Sequence, residues 1–167
     1  MQPDDFDRWR EELREVSVIV QDGDETTPQE EAERRFDRYM EMLDALDGSE
    51  SDEVLKALLE GLTDQDDYGA YQRLYNVVAS FPPERFGRVM AAELPSLIDR
   101  APDHAGEFLL PARAPEAARA FNTAAERLAP AEREKVTRFI RAEEAEDGWL
   151  DQHPGMLCPP SDGGADR

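Results

Sequence analysis

The chain has little of what most enzyme chemistry is built from. Its 167 residues include one cysteine, Cys158, and two histidines, which excludes an intramolecular disulfide and any multi-cysteine zinc module. Gly61, Gly69, Gly87 and Gly106 stand singly in or beside helical patterns, so there is no phosphate-cradling loop, and no Gly-x-Ser-x-Gly turn exposes a nucleophilic serine. No run approaches the roughly 18 apolar residues of a membrane helix. The first fifteen residues carry six carboxylates where a secretory signal needs positive charge. The expected address is therefore the cytoplasm, with no membrane partner. Hydrophobic residues make up 40% of the chain, low for a globular protein but enough for one core.

What the chain has in excess is acid. Asp and Glu number 39 against 19 Lys and Arg, for a formal charge of −20. The excess is uneven: residues 1–67 carry −16, residues 68–142 carry +2 and residues 143–167 carry −6. Such a field repels phosphate backbones, which bind by neutralisation with Lys and Arg, so nucleic acid is not expected as a partner. A basic protein is. Solvation is the alternative use of acid, and the choice of arginine for all bases but Lys56 and Lys135 agrees with it. A solubility coat would cover the whole surface, however, and the middle of the chain is almost balanced.

The apolar pattern is helical throughout. Phe6, Trp9, Leu13, Val16 and Val20 recur at three- and four-residue steps and predict a helix over 3–21, with Val16 to Val20 also readable as strand. Thr27-Pro28-Gln29-Glu30 is a helix start, with Thr27 as cap, and Phe36, Tyr39, Met40, Leu43 and Leu46 form the stripe that follows. Ser51 caps a short helix to Leu62. Residues 67–81 carry Tyr68, Tyr71, Leu74, Tyr75, Val78 and Phe81 on one wide face, the tyrosines reading as core packing. Further helices begin at Pro83, Pro102, Pro115 and Pro130, with Pro95 a kink or restart. Leu43, Leu58, Leu74, Val78, Phe81, Phe86, Val89 and Phe121 are the expected core.

A shift of 47 residues places Pro83 on Pro130, Leu74 on Phe121, Phe81 on Leu128 and Val89 on Val136. A period of this length in helix pairs is that of HEAT and armadillo solenoids. The expected fold is all-α: stacked helical hairpins of a short HEAT/armadillo-like solenoid, or an irregular helical bundle. One domain is expected over 1–148, followed by a largely disordered tail over 149–167 that holds the glycines and prolines of 154–164.

Three carboxylate sets invite a metal and fall short. Asp22, Asp24 and Glu33 fit positions 1, 3 and 12 of a calcium loop, but Thr27 stands where the turn needs glycine. Asp64, Asp66 and Gly69 fit a second frame that ends on Tyr75 rather than an acid, and Asp103, His104 and Glu107 are a solvated first turn. No catalytic residue, metal or cofactor is expected, and Cys158 reads as a free thiol in the tail.

Leu59-Glu60-Gly61-Leu62, Asp66-Asp67-Tyr68-Gly69-Ala70-Tyr71, Phe81-Pro82-Pro83-Glu84-Arg85-Phe86 and Pro102-Asp103-His104 follow one another within Leu58 to Leu110, about a third of the chain. This stretch resembles the helical immunity proteins of bacterial polymorphic toxin systems. The resemblance implies a cytoplasmic antitoxin that binds its toxin domain one to one and blocks its active site. It carries no single-residue motif and so assigns no functional residue. Two other readings stand beside it: a helical-repeat adaptor for a non-toxin partner, and a small helical enzyme or metal binder using scattered acids. For the inhibitor, contacts are expected at the helix junctions, on Asp22, Asp24 and Glu25 and on Asp64, Asp66 and Asp67 with Tyr68, where loops enter a groove while helices hold them rigid.

Overall fold

The computed structural model describes residues 5–21, 23–65, 68–146 and 155–157, and all regular structure among them is α-helical. Helix α1 (Phe6–Val16) opens on Asp5, whose Oδ1 accepts the Arg8 amide at 3.2 Å. It buries Leu13 and Val16 and stops at Ser17, four residues short of the expected end. The β-branched run Val16-Ser17-Val18-Ile19-Val20 is poor helix, and Ser17 is buried beneath Gly61, where any larger residue at 61 would press on its side chain. Val20 therefore leaves the helical stripe.

Helix α2 (Gln29–Asp44) starts after Pro28, but without the expected cap: the Thr27 hydroxyl donates to Asp24 Oδ2 at 2.9 Å instead of serving an α2 amide. Helix α3 (Asp52–Glu60) presents Val54, Leu55, Ala57, Leu58 and Leu59 to the core. Helix α4 (Ala70–Ser80) begins only after Gly69, whose φ of +89° is left-handed, and buries Tyr71, Leu74, Val77 and Val78. The Tyr71 hydroxyl accepts the Thr63 amide at 3.2 Å, so the one deeply buried tyrosine of the 68–75 stripe has its polar partner.

Four helices follow, each opening on a proline: α5 (Pro83–Arg100), α6 (Pro102–Ala112), α7 (Pro115–Ala125) and α8 (Pro130–Glu146). α5 runs through Pro95 without restarting. All eight residues expected in the core are buried, from Leu43 to Phe121.

The stretch 1–148, read from sequence as one helical domain, divides into two compact units, Met1–Pro82 and Pro83–Arg167. In the first, α1 packs on α2 and α3, and α4 packs on α2 and α3. Arginines tie these helices across their surfaces: Arg10 to Glu60 at 2.7 Å, Arg38 to Glu12 at 2.7 Å, and Arg73 to Asp44. The loop after α2 turns at Gly48, φ +86°, lying so close to the Ser80 carbonyl that a Cβ would sit 2.4 Å from its oxygen. The buried Glu50 carboxylate holds that loop by accepting the Asp47 and Gly48 amides at 3.2 and 2.9 Å.

In the second unit α5 is the centre, with its widest contact on α7 and with α6 and α8 beside it. The α5–α7 contact is close because Gly87 has no side chain; a Cβ there would lie 2.1 Å from the Ala117 carbonyl oxygen. The rings of Phe86 and Phe108 meet tilted, their centres 6.3 Å apart, between α5 and α6, and Lys135 of α8 donates to the Pro95 carbonyl at 3.0 Å while pairing with Asp99. Of the stretch 149–167 only 155–157 are among the described residues. They return to this unit: Gly155 N–H donates to Glu144 at 2.8 Å, the Asn122 amide donates to the Met156 carbonyl at 3.0 Å, and Leu157 is buried.

Candidate functional site

Of the seven residues expected to contact a partner, Asp22, Asp66 and Asp67 lie outside the described residues. Asp24, Glu25 and Asp64 are exposed in connections of the first unit. Asp24 is the most ordered of them. Its Oδ1 accepts the Thr26 amide at 2.8 Å and the Thr26 hydroxyl, and its Oδ2 accepts Thr27. The Thr26 hydroxyl, with the Thr26 amide and the Thr27 hydroxyl, holds the Asp24 carboxyl below its usual range, so it stays ionised under mildly acid conditions. The connection between α1 and α2 is thereby pinned by its own threonines with its charge outward.

Tyr68 is the residue the sequence misplaces. It belongs to no helical stripe: its φ is +48°, alone among the described non-glycine residues in being positive, and 48% of its surface is exposed. Left-handed backbone in a residue with a Cβ costs about 1 kcal/mol or more and turns the side chain off the path a helix would give it. Gly69 is left-handed too, and Tyr68 lines one hollow with residues of the α1–α2 connection and of α2.

The result is an open hollow of about 550 Å³ in the first unit. Ile19, Val20, Ala32, Phe36 and Tyr68 supply its apolar lining. Its charged lining is Glu33, Arg35 and Asp37. Arg35 is engaged within its own helix, its Nε donating to Glu31 at 2.8 Å, and Glu33 accepts Gln29 at the same distance. Close by in the chain, Val18 is 52% exposed. Sequence reading had Val20 on the stripe of the first helix, Phe36 on that of the second and Tyr68 on the face of the fourth. What joins them is the early end of α1 and the left-handed turn at 68, and neither has a period that a pattern search detects.

A second acid-lined depression lies along α1 and α2, where Glu12, Glu15, Glu30, Glu31, Glu41 and neighbouring arginines face it. Here the arginines are largely consumed: Arg38 chelates Glu12 and also reaches Glu41 at 3.2 Å, and Arg34 and Arg35 both pair with Glu31. The hydrogen bond from Arg38 keeps the Glu12 carboxyl low and drives the Arg38 guanidinium up. Among the described residues no group of three or more His, Cys, Asp or Glu is placed to hold a metal ion, and no helix is long and apolar enough to cross a membrane. Comparison with protein-family models, with curated proteins and with solved structures finds no match to this chain.

Proposed function

We propose that this protein acts by binding: a cytoplasmic antitoxin whose acidic first unit captures and neutralises a basic toxin domain in a one-to-one complex. The observation that carries this reading is an exposed apolar and aromatic corner, the half-exposed Tyr68 over the hollow lined by Ile19, Val20 and Phe36, set in a unit with 23 acids and 8 bases. Complementary charge speeds encounter and excludes wrong partners, while aromatic anchors at a desolvated centre fix the complex. A coat that served solubility alone would leave no reason for an apolar corner inside it. The helices make the platform rigid, with ion pairs from α1 to α2 and α3, and the 47-residue recurrence of proline-started helices at Pro83 and Pro130 supports a helical-hairpin design suited to presenting loops.

The test is co-expression with the product of the adjacent reading frame. The expected result is that the neighbour alone arrests growth, this chain restores it, and the two purify together at low salt and dissociate as salt rises. A neighbour that is harmless and does not bind overturns the antitoxin reading and leaves the helical adaptor, with another basic protein as its partner.

A further inference from the structure

We propose that the hollow beneath Tyr68 seats a single large apolar side chain of the partner, carried on a segment with lysine or arginine on either side. The inference rests on the reading of the acidic unit as a protein-binding face and specifies how that face grips. Three observations lead to it. First, the lining joins apolar atoms of Ile19, Val20 and Phe36 under a half-exposed Tyr68, an arrangement that leaves apolar surface in water unless something covers it. Second, the hollow, about 550 Å³, is open to solvent rather than enclosed, which suits a side chain entering from a protein surface better than a small molecule that must be surrounded. Third, the charge around it selects the occupant's flanks.

Glu33 and Asp37 stand exposed beside the apolar lining, and the base among them, Arg35, is already held by Glu31. The unit as a whole carries −15. A second copy of this chain would bring the same sign of charge and be repelled, and so would an acidic peptide. A segment with bases around an aromatic or long aliphatic residue satisfies both components: its bases meet Glu33 and Asp37 while its apolar residue displaces water from the hollow. Tyr68 supplies the clamp. Its ring lines the hollow while half its surface stays exposed, so it can close over an entering side chain.

The experiment selects peptides from a displayed random library on the full chain, then measures the affinity of a selected peptide for two variants. Tyr68→Asn removes the ring, and asparagine accepts the left-handed backbone readily, so the fold is preserved. Ala32→Trp fills the hollow from a half-buried position of α2, with circular dichroism melts confirming that both variants stay folded. The expected outcome is enrichment of peptides that pair an aromatic or aliphatic residue with flanking lysine or arginine, and a loss of about tenfold in affinity for each variant, as for a hot-spot contact. Basic peptides that bind both variants as well as the parent overturn the anchor while leaving the acidic-face reading in place. Enrichment of peptides without bases, or no enrichment, overturns both.

Discussion

Across residues 1–82 acids outnumber bases 23 to 8, whereas over 83–167 they stand at 16 and 11. The two units are held together by correspondingly different means. The first ties its helices with arginine–carboxylate pairs that span from one element to another, Arg10 to Glu60 and Arg38 to Glu12. The second brings helices close by removing side chains: Gly87 lies against Ala117, and Ala91, Ala105, Ala112, Ala118 and Ala125 are buried in the same unit. Small residues at a helix contact gain dispersion energy through near approach. The charged unit carries the hollow under Tyr68. Recognition and packing are thus divided along the chain, and the division is open to attack from both sides.

The largest effects belong to the cores. Phe121→Ala in the second unit should cost about 3 to 5 kcal/mol and Leu74→Ala in the first about 2 to 5, each read by denaturant melts. Native-state hydrogen exchange should show each variant loosening amides of its own unit first. Equal loosening of both units by either variant would deprive the boundary at Pro82 of energetic meaning.

Next come the glycines. Gly87→Ala forces a Cβ to within 2.1 Å of a backbone oxygen in α7, and backbone yields only by moving the helix. A loss of about 1 to 3 kcal/mol is expected. Gly61→Ala in the first unit meets the Ser17 side chain at 3.1 Å and the Leu58 carbonyl at an ordinary 3.6 Å, and should stay within about 0.5 kcal/mol of the parent. Matching losses at the two sites would show that close packing is no special property of the second unit.

The smallest effect is electrostatic. A double-mutant cycle on Glu12 and Arg38 should give about 0.2 to 1 kcal/mol at neutral pH, since both side chains are partly solvated. The folded Glu12 carboxyl is held low by Arg38, so the coupling is complete above the unfolded value of about 4.3 and fades as pH falls through the lower folded value. A coupling that grows as the solution is acidified would contradict the pairing.

Much of this was legible in the residues. Helix α2 and the four proline-started helices follow from the prolines at their starts and a 3.6-residue period, and the expected core from Leu43 to Phe121 is buried because apolar stripes have one dry face to choose. The early end of α1 at Ser17 was hidden because a β-branched run keeps its spacing while losing its helical preference. The hollow was hidden for a different reason: it gathers residues 19–20, 32–37 and 68 from three segments, and its decisive feature is a positive φ at a tyrosine, a conformation that tertiary packing imposes against local preference. Exposure of Asp24, Glu25 and Asp64 was readable from polar turns; the threonine clasp on Asp24 was not, since Thr27 is equally suited to capping α2.

The most direct measurement is the association rate with the adjacent frame's product as a function of ionic strength, for the parent, for a variant reversed in the first unit (Asp24→Lys, Glu25→Lys, Asp64→Lys), and for one reversed in the second (Glu126→Lys, Glu134→Lys). Reversal in the first unit should slow association at low salt and flatten its salt dependence, while reversal in the second leaves both nearly unchanged. Equal slowing by the two variants, or no slowing by the first, would contradict an acidic recognition face on residues 1–82.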